Sequence, residues 1–190
     1  MCEKKFIILF GPSGSGKSLI KSHIVSQGFG TLVSDTSREI REFCGEIDGV
    51  SYHFKTKKDF VTGAMNGEYL EFTNYNGNYY GTSKKEFEKA LAQGKPVCHV
   101  LDVNGVKYLK ENYGDEVLTV FILTSRETLK RRLNERGDSP KNIEDRLSTY
   151  YDEIQNASLA DEIIENEGNL DLTLSRVDGV VSQYFDKCFT

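Results

Sequence analysis

The chain has 190 residues, enough to bury a core without disulfide staples and suited to one compact domain with inserted lobes. Hydrophobic residues make up 38% and charged residues 28%, a composition that excludes a disordered chain. The formal net charge of −5 argues against a dedicated nucleic-acid binder, which would carry a basic surface, yet leaves room for a small anionic ligand held by local cations.

The elements follow in chain order. Residues 6–10, Phe-Ile-Ile-Leu-Phe, form an unbroken apolar run that predicts a buried strand. Residues 16–27 predict a helix ending near Gly28, and 31–33 a short second strand. From about 34 to 82 the rhythm changes. Five of the ten tyrosines fall there, at 52, 69, 75, 79 and 80. Turns are expected at Gly49, Gly67 and Asn76-Gly77-Asn78, between short antiparallel strands, with a helix over 57–66. A core strand follows over 96–101 and stops at Asp102, then a helix over 104–112 that ends near Gly114. Residues 117–123 are the clearest buried strand. Helices are predicted over 127–136 and 143–156, a short strand over 162–164, and a closing helix over 170–185. This alternation predicts an α/β fold, a parallel sheet covered by helices on both faces, with the tyrosine-rich segment inserted as a lobe.

The most informative motif is Gly11-Pro12-Ser13-Gly14-Ser15-Gly16-Lys17-Ser18, a G-x-x-x-x-G-K-S sequence between the first strand and the first helix. Glycines let the backbone wrap a phosphate so that several N–H groups point inward, and the helix N-terminus adds its positive dipole end. Lys17 can reach the outer phosphates, and the Ser18 hydroxyl is placed to ligate Mg²⁺. A second cationic group, Arg126, Lys130, Arg131, Arg132 and Arg136, crowds one helix. Leu129 and Leu133 share one face of it, and Arg132 and Arg136 another. That pattern fits phosphate binding, and it also fits an exposed face salt-bridged to Glu127 and Glu135.

Four cysteines stand at 2, 44, 98 and 188, with no C-x-x-C pair and no zinc spacing, so free thiols in a reducing cytoplasm are expected. The apolar run over 6–10 is too short for a signal segment or a membrane span.

Four segments carry a resemblance to a known family: the glycine loop; Ser34-Asp35-Thr36-Ser37-Arg38-Glu39-Ile40-Arg41; Gly45-Glu46 through Tyr52-His53-Phe54; and Gly67-Glu68-Tyr69-Leu70-Glu71 with Tyr79-Tyr80-Gly81-Thr82. In these the chain resembles the guanylate kinases, from the phosphate loop to the final helix. The resemblance implies a P-loop NTPase-type core over 1–33, 83–136 and 157–190, a small α+β nucleotide-monophosphate-binding lobe over 34–82, and a helical lid over 137–156. It implies ATP binding by Gly11, Ser13, Gly14, Ser15, Gly16, Lys17, Ser18, Leu19 and Asn166, with Mg²⁺ on Ser18. Ser34, Arg38, Arg41, Tyr52 and Tyr80 would hold the GMP phosphate; Glu71, Thr82 and Asp102 would face the guanine. Lys17, Arg132, Arg136 and Arg146 would stabilise the transferred charge. The implied partners are ATP and GMP alone, with no nucleic acid and no membrane, in a monomer or homodimer. Transfer to another nucleoside or sugar phosphate, or a non-catalytic binding module, are the rival expectations. Three departures from the family pattern stand out: residues 37–46 lack its proline and carry about two extra residues, Val100 replaces a frequent acid, and Asn104 replaces the usual Gln.

Overall fold

The computed structural model describes residues 4–41, 45–75 and 77–185. The chain divides into two compact units, Met1–Phe29 with Cys98–Thr190, and Gly30–Val97. The expected turn at 76–78 and the altered segment at 42–44 lie partly or wholly outside the described residues, as do Cys2, Cys44 and Cys188.

The first unit is built on a four-stranded sheet in the order β6 (Val97–Val100), β1 (Phe6–Phe10), β7 (Val117–Leu123), β8 (Glu162–Glu165). β1 pairs with β7 in parallel, Phe6 opposite Val117 through Phe10 opposite Phe121, and β7 pairs with β8 in parallel. Every residue of β1 is buried, so neither face of the central strands meets water. That is why the sequence there is continuously apolar rather than alternating. Ile7, Leu9, Leu118, Val120 and Ile122 pack with Ile20 and Ile24 of α1 (Lys17–Ser26) and with Val177, Val181 and Phe185 of α8 (Leu170–Phe185). On the other residues of the strands, Phe6 meets Tyr113 of α4 (Val103–Tyr113) edge-on at 5.5 Å, and Phe10 meets Phe121 at 5.1 Å. Each such side chain contributes about 1.5–3 kcal/mol on burial.

The second unit holds a sheet in the order β3 (His53–Phe54), β2 (Asp35–Thr36), β5 (Asn78–Ser83), β4 (Tyr69–Tyr75). β4 and β5 form an antiparallel pair, and β5 leads into α3 (Lys84–Leu91). The core of this unit is aromatic. Phe60, fully buried on α2 (Lys57–Met65), stacks on Tyr69 at 4.4 Å and on Tyr79 at 5.4 Å between ring centres. Asp35, 1% exposed, accepts from the Tyr69 hydroxyl at 2.7 Å and pairs with Lys55 at 2.5 Å. A buried carboxylate is tolerated because it is charge-paired and hydrogen-bonded.

Three expectations differ. The strands of the tyrosine-rich segment are not all antiparallel, since β2 pairs with β3 in parallel. Residues 31–33 form no strand. Gly30 makes one parallel bridge to Val97, and the strand forms later, at Asp35–Thr36, where β5 and β3 flank it. Three residues beside a single bridge gain too little pairing to outweigh the ordering of an edge. The helix expected over 143–156 is two helices, α6 (Pro140–Ser148) and α7 (Tyr150–Gln155), meeting at Thr149. α6 begins three residues early because Ser139 accepts from the Asn142 N–H and Pro140 occupies the first helical position, where its missing N–H costs nothing. The preceding helix is α5 (Arg126–Glu135), capped by Ser125. None of the helices is long and apolar enough to cross a membrane, among the described residues.

Phe60→Ala removes the centre of the aromatic stack and is expected to destabilise the second unit by about 3–5 kcal/mol. Urea unfolding followed by tyrosine fluorescence measures this, because the chain has no tryptophan and half its tyrosines lie in this unit. A loss below about 1 kcal/mol contradicts the packing described.

Candidate functional site

The phosphate loop leaves the C-terminal end of β1. Its glycines are required by space as well as by backbone angle. Gly11 has φ 128°, and a Cβ there would lie 2.7 Å from the Ile122 carbonyl oxygen. Gly16 has φ 95°, and a Cβ there would run into the side-chain amide of Asn166. Gly16 is also the N-cap of α1 and offers no side-chain cap, so no capping side chain competes with a ligand for the N–H groups that open α1.

Lys17 folds back over this loop. Its ammonium donates to the Gly11 carbonyl at 2.7 Å and to the Pro12 carbonyl at 2.8 Å. Burial pushes its pKa down to about 8, against attraction from Glu153 and with repulsion from Arg146. Ser18 and Leu19 are exposed on the first turn of α1, while Ser15 is fully buried.

Arg132, Arg136 and Arg146 stand in the same unit. Arg132 donates to the Asn166 carbonyl at 2.9 Å and reaches the Ser15 carbonyl at 3.5 Å. Arg146, from α6, donates to the Ser13 hydroxyl and lies 3.4 Å from Asp138. Arg136 is paired with the same Asp138 carboxylate. Asn166 donates its amide to the Ser15 carbonyl at 2.8 Å. The structure thus gathers Ser13, Ser15, Lys17, Arg132, Arg146 and Asn166 around one loop. The alternative expectation for the basic helix, an exposed salt-bridged face, holds for Arg131, which pairs with Glu135 at 3.0 Å.

The second unit gathers another group. Arg38 forms a fork-to-fork pair with Glu46, at 2.8 and 2.7 Å, and its guanidinium lies 5.5 Å from the Tyr52 ring centre and 5.6 Å from that of Phe54. The Tyr52 and Tyr80 rings meet edge-on at 6.1 Å. Burial raises the Tyr52 phenol pKa above its usual value, and hydrogen bonds from Arg38 hold the Glu46 carboxyl below its own. The Arg41 backbone N–H donates to Glu46 at 2.8 Å, while its side chain is exposed. Ser34 accepts at its carbonyl from the His53 N–H at 2.9 Å. Glu71 on β4 stands directly opposite Thr82 on β5, the latter 1% exposed.

Asp102 belongs to the first unit. It caps α4, accepting from the Gly105 N–H at 2.9 Å. Val100 packs on the same apolar cluster as Cys98.

Sequence reasoning passed over three residues. Glu46 is visible in the sequence only within the Gly45-Glu46 motif, Asp138 only within the lid segment over 137–156, and Glu167 not at all. Glu167 accepts from the Ser125 N–H, from the Ser125 hydroxyl at 2.8 Å and from the Thr128 hydroxyl at 2.8 Å, which fixes the start of the helix that carries Arg132. Each acts on a partner that sequence spacing does not reveal, except Asp138, two residues from Arg136.

Comparison with known proteins agrees with this geometry. The family model described as guanylate kinase matches residues 3–184. The guanylate kinase of Helicobacter pylori (strain ATCC 700392 / 26695) is 42% identical over 165 residues, 85% of this chain and 79% of its own length. That of Clostridium perfringens (strain SM101 / Type A) is 32% identical over 176 residues, 92% of this chain and 81% of its own. The crystal structure of guanylate kinase from Anaplasma phagocytophilum superposes with a TM-score of 0.73 at 25% identity, covering 98% of this chain and 89% of that one. A match across the whole span, joined to a glycine loop folded under its own lysine, identifies this chain as a member of the guanylate kinase family.

Proposed function

We propose that the chain transfers the terminal phosphoryl group of ATP to GMP, and also to dGMP, forming ADP and GDP or dGDP. The observation that carries this reading is the convergence of Lys17, Arg132 and Arg146 on one glycine loop, in a chain whose second unit sets a carboxylate opposite a hydroxyl, Glu71 and Thr82.

The donor's phosphates take the place offered by the loop N–H groups and the start of α1. Lys17 already lies over the loop, and Arg132 and Arg146 are tied to it through Ser15 and Ser13. Phosphoryl transfer asks little covalent help of a protein; it needs fixed positive charge where negative charge develops. An oxygen of the acceptor phosphate bonds to the γ-phosphorus as the bond to the β,γ-bridging oxygen breaks, and ADP leaves. A general base is unnecessary, because the acceptor phosphate is largely ionised at neutral pH, its second pKa being about 6. Residues 137–156 serve as the lid, with Arg146 as its reach to the loop.

The acceptor's phosphate is assigned to Arg38, Arg41, Ser34, Tyr52 and Tyr80. Guanidinium forks suit a doubly charged phosphate because they bind it bidentately. The guanine is assigned to Glu71, Thr82 and Asp102. A carboxylate accepts from both the ring N–H and the exocyclic amine of guanine, and adenine would leave it unpaired.

Mg²⁺ fits what the chain offers. Among the described residues no cluster of His, Cys, Asp and Glu could cage a metal, and Mg²⁺ commonly takes most of its ligands from phosphate and water. The exposed Ser18 hydroxyl beside Lys17 is the protein ligand available, and Mg²⁺ bound there would neutralise charge on the β- and γ-phosphates.

Three outcomes test this. In a coupled assay for ADP with GMP, dGMP, AMP, UMP and CMP as acceptors, GMP and dGMP are expected to stimulate turnover and the others to leave it near background. Turnover on a different acceptor, or on none, removes the reading.

The lowered Lys17 pKa gives a second. The free protein has Lys17 partly deprotonated near pH 8, and a bound triphosphate favours its charged form, so the complex holds more protons. ATP affinity therefore falls as pH rises through about 8. Calorimetry at pH 8 in buffers of different ionisation enthalpy should show proton uptake that Lys17→Met abolishes; uptake equal in both proteins contradicts the assignment.

Third, Glu46→Gln removes the charge that aims Arg38. Charge-assisted hydrogen bonds are worth about 1.5–3 kcal/mol, so the KM for GMP is expected to rise about 10- to 100-fold with a smaller change in the KM for ATP. An unchanged or lowered KM for GMP would mean that Glu46 competes with the phosphate instead of presenting its partner.

A further inference from the structure

We infer that Asp138 is a positioning residue, which aims the Arg146 guanidinium at the phosphate loop by holding its Nε edge. The inference rests on the ATP-dependent phosphoryl transfer proposed above and assigns a role within it.

Asp138 stands at the joint between two helices, and its backbone is fixed from both sides. The Gly137 N–H donates to the Asn134 carbonyl at 2.9 Å, and the Asp138 N–H to the Leu133 carbonyl at 3.1 Å. These two bonds close α5 with a Schellman motif, for which Gly137 supplies the left-handed residue at φ 81°. One residue later Ser139 caps α6, its hydroxyl accepting from the Asn142 N–H at 3.3 Å. The two helices also share an apolar cluster, Leu129 and Leu133 of α5 with Ile143 and Leu147 of α6. The helix pair and the carboxylate between them therefore hold together without help from any ligand, in the same unit as the phosphate loop.

The Asp138 carboxylate is mostly buried, and both its oxygens are engaged. Oδ1 accepts from Arg136 Nε at 3.0 Å, and Oδ2 accepts from Arg136 Nη2. Oδ2 also lies 3.4 Å from Arg146 Nε, an ion-pair contact to a nitrogen shut off from water. Arg146 then extends Nη1 to the Ser13 hydroxyl on the loop. A guanidinium is a rigid plane with donors in fixed directions. Held at Nε by a carboxylate and at Nη1 by the loop, it has little freedom left to swing.

The sharing also sets the charge. Two guanidinium groups and one carboxylate leave the cluster with one net positive charge. Arg136, half exposed, takes the bidentate contact, so Arg146 is steered by the carboxylate without being cancelled by it. What Asp138 supplies is a fixed aim for a cation beside the phosphates, and positional error in such a group is costly in rate.

The test compares ATP:GMP turnover by wild type, Asp138→Asn, Arg146→Ala and the double variant. Asp138→Asn is expected to lower kcat about 10- to 100-fold while the KM for ATP changes less than about threefold, the pattern of a contact made in the transition state. In the Arg146→Ala background the same change should cost less than about threefold, because the group it aims is gone. A merely structural role would cost as much in either background, so additive losses overturn the inference. An unchanged kcat overturns it too, as does a lowered KM for ATP, which would make the carboxylate a competitor of the phosphates. If wild type itself shows no turnover, the functional reading fails separately. Asp138 is then decided by nitrogen-15 NMR of the arginine Nε–H groups in the ligand-free protein. The Arg146 resonance, assigned by its loss in Arg146→Lys, should move in Asp138→Asn, and a resonance that stays in place sinks the assignment. Should Asp138→Asn not fold, Asp138→Glu displaces the charge by one methylene and is held to the same outcomes.

Discussion

A half-buried ammonium organises the first unit. The Lys17 side chain is half-buried, which lowers its pKa, and two carbonyls of the loop it follows, Gly11 and Pro12, compensate in part. Those carbonyls point at the lysine only because the intervening backbone turns through positive φ at Gly11, Gly14 and Gly16. The Ser15 N–H closes the same turn on the Pro12 carbonyl at 3.1 Å. One arrangement thus accounts for the glycines, the lysine and the open start of α1. It depends on an immobile base, which the residue-by-residue pairing of β1 with β7 supplies. The Ile122 carbonyl on β7, against which Gly11 packs, is part of that base.

The second unit repeats the principle with different parts. Arg38 is held by a carboxylate, not by carbonyls, and two aromatic rings flank its guanidinium. In both units a cation is oriented by protein acceptors in the absence of ligand. Charge placed in advance does not reorganise during the reaction, which is where electrostatic catalysis gains most. The two solutions differ in strength. A carboxylate partner holds an arginine more firmly than two carbonyls hold a lysine, and it also leaves the pair nearly neutral. The exposed Arg41 side chain, whose backbone is pinned by the same Glu46, supplies net positive charge beside that neutral pair.

What could be read from the sequence follows the range of the interactions. The strand, glycine loop and first helix were legible because contiguous residues define them: five apolar residues, then glycines at fixed spacing, then Lys-Ser. The strand at Val117–Leu123 was legible because burial on both faces leaves a single polar residue, Thr119, in a run of seven. The expected strand over 31–33 failed because three apolar residues say nothing of whether an edge has a partner. The break at Thr149 was hidden because apolar residues keep helical spacing on both sides of it. The residues that the structure adds, Glu46, Glu167 and the tie through Asn166, are long-range or act on backbone. Asn166 and Ser15 are separated by 151 positions, and no local pattern encodes that contact.

The change at position 100 bears on how charge is shared. A valine there joins the apolar cluster of Ile7, Leu9 and Cys98, so this end of β6 strengthens the core and brings no carboxylate toward the loop. The nearby acid, Asp102, spends one oxygen on the Gly105 N–H as the cap of α4. The loop's surroundings are then dominated by Lys17, Arg132 and Arg146, in a chain whose overall charge is negative. Screening weakens exposed charges more than buried ones, so the partly buried cations around Ser13 and Ser15 keep their pull at physiological salt. In the proposed transfer, more of the neutralisation of a triphosphate would then fall to these side chains. Turnover would depend on the distances among them and on the hydrogen bonds that fix those distances.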